Sequence, residues 1–357
     1  MDNKADNDQS ELLRQRLHEA IGTHHTLCIS GGGSKSFYGR DPEGEPVNTV
    51  EHRGIVKYEP TELVLTARAG TTLHDVAQTL DGHGQMLPFE PPCFKSCATL
   101  GGAIATGLSG PARPYRGAVR DFILGIKCLT GRGEILSFGG EVMKNVAGFD
   151  ASRLMAGALG TLGILLEITL KVLPKPAHEI TLVFESPGDN ALMTMNQLAG
   201  RPLPVSASVY DGENLYLRLS GTEAGIVAAH RQLGGDIYPE GERYWGDIRE
   251  HRHEFYFTDG PLWRISIPPA TPALGIDGQW LIEWGGAQRW LKTRKHIEDV
   301  RTVVSSAGGH ATVFRGGDRT GEVFQALPAG LYAIHRRLKS AFDPHGILNP
   351  GRLYAGI

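Results

Sequence analysis

Ser30-Gly31-Gly32-Gly33-Ser34-Lys35-Ser36-Phe37-Tyr38-Gly39 is the stretch on which the reading of this chain turns. It leaves a short β-prone run, Thr26 to Ser30. Successive glycine N–H groups can nest around phosphate oxygens, and no Cβ blocks close approach. A plain tight turn is the alternative. Two familiar glycine loops are excluded. A dinucleotide-binding βαβ loop needs a third glycine and then a helix. Here that position is Ser36, followed by the non-helical Phe37-Tyr38-Gly39-Arg40-Asp41-Pro42. A P-loop needs Gly-Lys-Ser/Thr opening a helix, and Ser34-Lys35-Ser36 lacks that order.

Outward from this loop lie two more glycine clusters. Thr99-Leu100-Gly101-Gly102-Ala103-Ile104-Ala105-Thr106-Gly107 follows Pro88-Phe89-Glu90-Pro91-Pro92, and Gly157 to Gly163 precedes a strand at Ile164–Val172. Three glycine-rich turns without a βαβ helix suit an extended cofactor threaded between two subdomains. The intervening elements are strands at Leu63–Ala67 and Phe122–Thr130 and a helix after Thr72, whose spacing to Asp75 resembles a capping box. A first helix carries Leu13, Leu17, Ala20 and Ile21 on one face. Residues 82–117 read as one long loop, and long loops in compact domains are usually functional.

The 357 residues are too many for one ordinary core. Pro174 and Pro176 mark a boundary, giving residues 1–176, 177–325 and 326–357. In the middle part Leu215–Leu219 alternates like a half-buried strand. Strands at Trp263–Ile267 and Trp280–Trp284 and helices in 221–233 and 290–305 complete an antiparallel α+β pattern. Leu331, Ile334, His335, Leu338 and Phe342 mark a last helix, stopped by Asp343-Pro344-His345-Gly346.

Net charge of −3 gives no basic surplus for nucleic acid. No stretch approaches the ~18 apolar residues of a membrane span, and the polar start lacks signal-peptide character. A cytoplasmic protein is expected, with at most peripheral contact at the inner face of the membrane. The 4 cysteines are scattered, with no cluster-type run.

At this point the chain resembles the vanillyl-alcohol-oxidase/PCMH-type FAD-binding family. The first glycine loop sits where that family cradles the FAD pyrophosphate. Thr99–Gly107 and Arg116-Gly117-Ala118-Val119-Arg120-Asp121-Phe122 look like its second flavin-binding stretch. Gly160-Thr161-Leu162-Gly163-Ile164 and Gly346-Ile347-Leu348-Asn349-Pro350-Gly351-Arg352 look like its later signatures. Residues 139–150, 84–88, 53–56 and 308–312 narrow the likeness to the FAD-binding subunits of glycolate (2-hydroxy-acid) dehydrogenases.

The resemblance implies an α+β protein: a two-subdomain PCMH-type FAD-binding domain, a smaller antiparallel cap, and a C-terminal segment returning to the first domain. It implies a homologous D-type flavin subunit and an iron–sulfur F-type subunit as partners. The expected cofactor-binding residues are Gly31, Gly32, Gly33, Ser34, Lys35, Pro88, Thr99, Leu100, Gly101, Gly102, Thr106, Gly107, Arg116, Gly117, Arg120, Asp121, Asn145, Gly160, Thr161, Gly163, Ile164, Asn349 and Arg352. Two departures stand out. Where many relatives carry a flavin-linking His, this chain reads Ser34-Lys35, so FAD is expected to be non-covalent. The His-x-Gly-Asp-Gly-Asn-x-His metal motif of related dehydrogenases is missing, so no metal is expected.

Oxidising a 2-hydroxy acid requires a carboxylate clamp and a base. Arg264 and Arg315 are the candidate clamps because a guanidinium fork pairs bidentately with carboxylate. His310 is the candidate base. Surface or domain-bridging roles compete for each. Arg113, Arg116 and Arg120 either offset pyrophosphate charge or pair at the surface. Two other readings remain: a relay or assembly subunit that oxidises nothing itself, and a stand-alone oxidase of the same fold.

Overall fold

A computed structural model describes residues 6–140 and 150–357; Lys144 and Asn145 lie outside them. The first half is built on a five-stranded antiparallel sheet, ordered Ile55–Glu59, Val64–Arg68, Ile164–Lys171, Ile123–Leu129, Ile135–Gly139. Two helices pack on it. Leu73–Asp81 is capped by Thr72, whose hydroxyl accepts from Asp75 N, and it buries Leu73, Val76 and Leu80. Leu100–Thr106 buries Leu100, Ala103 and Ile104. Both sets meet Leu65, Ala67, Ile126, Ile168 and Leu170 in one core. Each such aliphatic side chain contributes about 1.5–3 kcal/mol on burial.

The Leu100–Thr106 helix corrects the reading of residues 82–117 as loop. Two adjacent glycines hid it, since glycine is a poor helix former. Gly101 is tolerated for packing: a Cβ there would come within 2.7 Å of Ala69 Cβ.

A parallel pair, Leu27–Ser30 with Glu45–Asn48, flanks this unit. Residue Leu27 also bridges to Leu348, so the tail after helix Ala329–Phe342 returns to the first strand.

From His178 onward the chain forms an eight-stranded antiparallel sheet, ordered Asp236–Ile237, His178–Glu185, Asn214–Gly221, Val205–Tyr210, Gln279–Glu283, Gln288–Lys292, Leu262–Ser266, His310–Arg315. Helices Gly188–Ala199, Glu223–Leu233 and Ile297–Ser306 cover one face. The other face packs Ala207, Val209, Trp290 and Phe314 against Tyr38, Leu108 and Leu159 of the first half. Leu215–Leu219 is therefore buried on both sides rather than half-buried. Its one charged member, Arg218, faces the first half and pairs with Glu90 at 2.7 Å.

Candidate functional site

The strand Leu27–Ser30 delivers the glycine loop to the N-terminal turn of helix Leu100–Thr106. Thr99 caps that helix, accepting from Gly102 N at 3.2 Å. The approach leaves no space for side chains. A Cβ on Gly31 would lie 2.4 Å from Thr99 Oγ1, and one on Gly32 only 1.6 Å from the Cys97 carbonyl oxygen. Gly33 turns the chain at φ +67°, a region L-residues avoid. The turn at Gly160, φ +75°, closes against Asn349, whose amide nitrogen would sit 2.7 Å from a Cβ there.

These elements wall one elongated cavity of about 320 Å³. It brings together Gly31, Gly32, Gly33, Ser34, Lys35, Thr99, Gly101, Gly102, Thr106, Gly160, Gly163, Asn349 and Arg352. Its glycine walls fit a dinucleotide: a Cβ at Gly31 or Gly32 would displace the wall itself. Cys28, Ile29, Ser30, Thr49, Ala105 and Leu159 also line it and were missed in the sequence. Leu159 carried no signal, although it sits at φ +49°.

Asn349 is the joint of this cavity. Its Oδ1 accepts from Ile29 N at 2.6 Å, and its amide donates to Leu159 O at 2.7 Å. Behind it the buried Lys339 donates to Thr161 O at 2.9 Å, to Leu348 O at 2.6 Å and to Asp343 at 2.7 Å. Lys35 is buried without a carboxylate in ion-pair range among the described residues, donating only to Ser34 Oγ at 3.3 Å. Burial lowers its ammonium to about 8, partly opposed by Cys93, Glu250 and Cys97.

Other expected cofactor residues stand elsewhere. Leu100 and Ile164 are core residues, Pro88 is buried, and the Thr161 hydroxyl donates to Ala158 O. Asp121 accepts from Ala118 N beside Gly117, and Arg116 pairs with Glu90 at 3.4 Å in a separate groove. Arg352 reaches the cavity, but its guanidinium donates to the carbonyls of Arg40, Ser36 and Tyr38. It fastens the loop backbone instead of offering its donors outward.

A second chamber of about 220 Å³ adjoins the first, with Thr106 in both walls. Gly107, Gly157, Arg113, Arg120 and Arg264 line it. Arg264 donates through Nε to Gln288 Oε1 at 2.6 Å, and its guanidinium lies 5.4 Å from the Trp284 ring centroid. Gln288 in turn bonds the fully buried Glu283, whose carboxyl is raised above its ordinary value by burial.

His310 lines neither chamber. It is exposed at the start of its strand, opposite Ser266, two pairs from Arg264↔Thr312. Its imidazole is lowered, first by desolvation and then by Arg264. Arg315 also lines neither chamber; its guanidinium sits 4.7 Å from the Phe37 ring, among Phe94 and Phe314. The sequence reading missed His251. It is half-buried at φ +52°, stacked on Tyr256 with centroids 3.9 Å apart, and its buried Nδ1 has no partner among the described residues. Among the described residues no three His, Cys, Asp or Glu side chains converge as metal ligands. Nor is any helix among them long and apolar enough to cross a membrane.

Comparisons with known proteins agree with this geometry. Residues 9–139 match the FAD binding domain family, and residues 286–353 match the C-terminal domain of FAD linked oxidases. The glycolate oxidase subunit GlcE of Escherichia coli is 45% identical over 350 residues, covering 98% of this chain and 99% of that protein. The glycolate oxidase subunit GlcD of Bacillus subtilis is 30% identical over 57% of this chain and 46% of its own length. The structure of p-cresol methylhydroxylase with substrate bound superposes with a TM-score of 0.70 at 16% identity, covering 98% of this chain and 87% of that one. The latter shows the fold alone, a PCMH-type FAD-binding architecture. The chain belongs to the FAD-linked oxidases, in the family of the glycolate oxidase subunit GlcE.

Proposed function

We propose that this chain is the FAD-binding subunit of a multi-subunit glycolate dehydrogenase and takes part in converting glycolate to glyoxylate. The observation that carries this is the adjacency of two chambers: a glycine-walled cavity and an arginine-lined one share Thr106 as a wall residue. Ser34 and Lys35 occupy the loop position where relatives of the fold attach flavin through His, so the cofactor is held non-covalently. Gly31, Gly32, Thr99 and Gly102 hold its pyrophosphate by backbone contact, and Asn349 closes the wall behind it. Bound FAD supplies the two-electron acceptor. The chain's own part is to exclude water with the paired halves and to orient the substrate carboxylate with the Arg264 fork. A homologous D-type flavin subunit and an iron–sulfur subunit complete the complex and carry electrons away, with peripheral contact at the cytoplasmic membrane face.

A second reading, an FAD relay that itself oxidises nothing, is favoured by one observation. Neither His310 nor Arg315 lines the arginine chamber. Anaerobic mixing of the native complex with glycolate separates the two. Flavin bleaching lost in Arg264→Met with full FAD content supports a substrate site in this chain. Bleaching unchanged in that variant refutes it.

A further inference from the structure

The chamber beyond Thr106 has three arginines in its wall and no carboxylate. Arg120 is accounted for by Asp121, 3.9 Å away at the surface. Arg113 is not. Among the described residues its guanidinium has no hydrogen bond and no ion pair; it lies 4.5 Å from the ring centroid of Trp284. Arg264 lies 5.4 Å from the same indole, and among the described residues its side chain bonds only through Nε, leaving the Nη groups without a partner there. The Arg113 guanidinium is lowered first by burial and then by Arg264.

Trp284, which holds them together, sits at φ +56°, a conformation bulky side chains rarely adopt. It is fixed there by its indole N–H, which donates to Gly110 O at 3.1 Å, and by Gly285 N donating to Ser208 Oγ at 3.2 Å. Backbone strain over-determined in this way clusters at ligand sites. Two cations on one fixed ring, within electrostatic reach of Asp121 and Glu283 but in no ion pair with a carboxylate among the described residues, form an incomplete electrostatic unit. A small anion completes it.

We propose that Arg113 and Arg264, flanking Trp284, form a two-armed seat for the carboxylate of a small 2-hydroxy acid. The proposal rests on the reading of this chain as a substrate-bearing FAD subunit, and it adds a specificity-determining residue from the first half to one from the cap. The chamber of about 220 Å³ admits a carboxylate with a short carbon chain.

The test uses the native complex loaded with FAD, with oxalate as a non-oxidisable probe read by perturbation of the flavin spectrum. Losing one charge-assisted pair is expected to raise the glycolate KM and the oxalate Kd of Arg113→Met about 10- to 100-fold. FAD content and potential stay unchanged. Arg113→Lys covers a folding failure of Arg113→Met: it keeps the charge but loses the fork, and oxalate binding weakens several-fold. Wild-type turnover with unaltered oxalate binding in both variants overturns the seat while leaving the FAD-subunit reading intact. A lowered midpoint potential with unaltered KM also overturns it, by assigning Arg113 to the reduced flavin ring. A wild-type complex whose flavin glycolate does not reduce counts against the underlying reading instead.

Discussion

Removing the side chain of Asn349 tests whether the cavity wall is assembled as described. Asn349→Ala strands the Ile29 N–H and the Leu159 carbonyl, now bonded at 2.6 and 2.7 Å. Each orphaned group costs about 1–3 kcal/mol, and the lower end applies because both border a cavity that water can enter. Residue 349 also sits at φ +43°, where asparagine is tolerated and alanine costs about 1 kcal/mol more. The total is about 3 kcal/mol, or roughly two decades in an equilibrium constant. FAD binds only the closed wall, so its Kd is expected to rise 10- to 100-fold, measured by fluorescence of released flavin at equilibrium. Asn349→Asp keeps the acceptor for Ile29 N but sets a carboxylate against the Leu159 carbonyl. Its affinity therefore recovers as pH falls and the acid proton replaces the lost amide donor. Wild-type affinity in Asn349→Ala refutes the reasoning.

Gly32→Leu, whose Cβ would land 1.6 Å from the Cys97 carbonyl oxygen, is expected to purify colourless; a yellow protein at full occupancy removes the pyrophosphate loop from Gly31–Lys35. Lys35 titrates near 8 in the FAD-free chain, and a bound pyrophosphate favours its charged form and raises that value. FAD affinity is thus full below about pH 8 and falls as pH rises beyond it, by at most about tenfold per unit. Lys35→Met flattens the profile of Kd against pH, and an unchanged slope in that variant excludes the lysine.

Local patterns in the sequence carried the first half well. Leu13, Leu17 and Ala20 marked a helix face, Thr72 its neighbour's cap, and the glycine runs the cavity wall. What local pattern could not show was partnership. Arg352 reads like a phosphate ligand, yet its donors end on backbone carbonyls of residues 36–40. Arg116 reads the same way, but Glu90 claims it. His310 reads as a base because histidine titrates near neutrality, whereas its strand register leaves it at an exposed end. Trp284 and Arg113, far apart in the chain, become neighbours only when the halves pack. Helix Gly241–Arg249 buries Tyr244, Trp245 and Ile248 on one face, but its glycines and charges masked the period.

Residues 320 positions apart, Ile29 and Asn349, share the joint that closes the cavity. A nascent chain on the ribosome has every glycine of the first loop exposed long before Lys339 and Asn349 emerge. Cofactor capture is thus deferred until Asn349 has emerged. A variant lacking residues 346–357 would keep every strand of the two large sheets and still arrive empty.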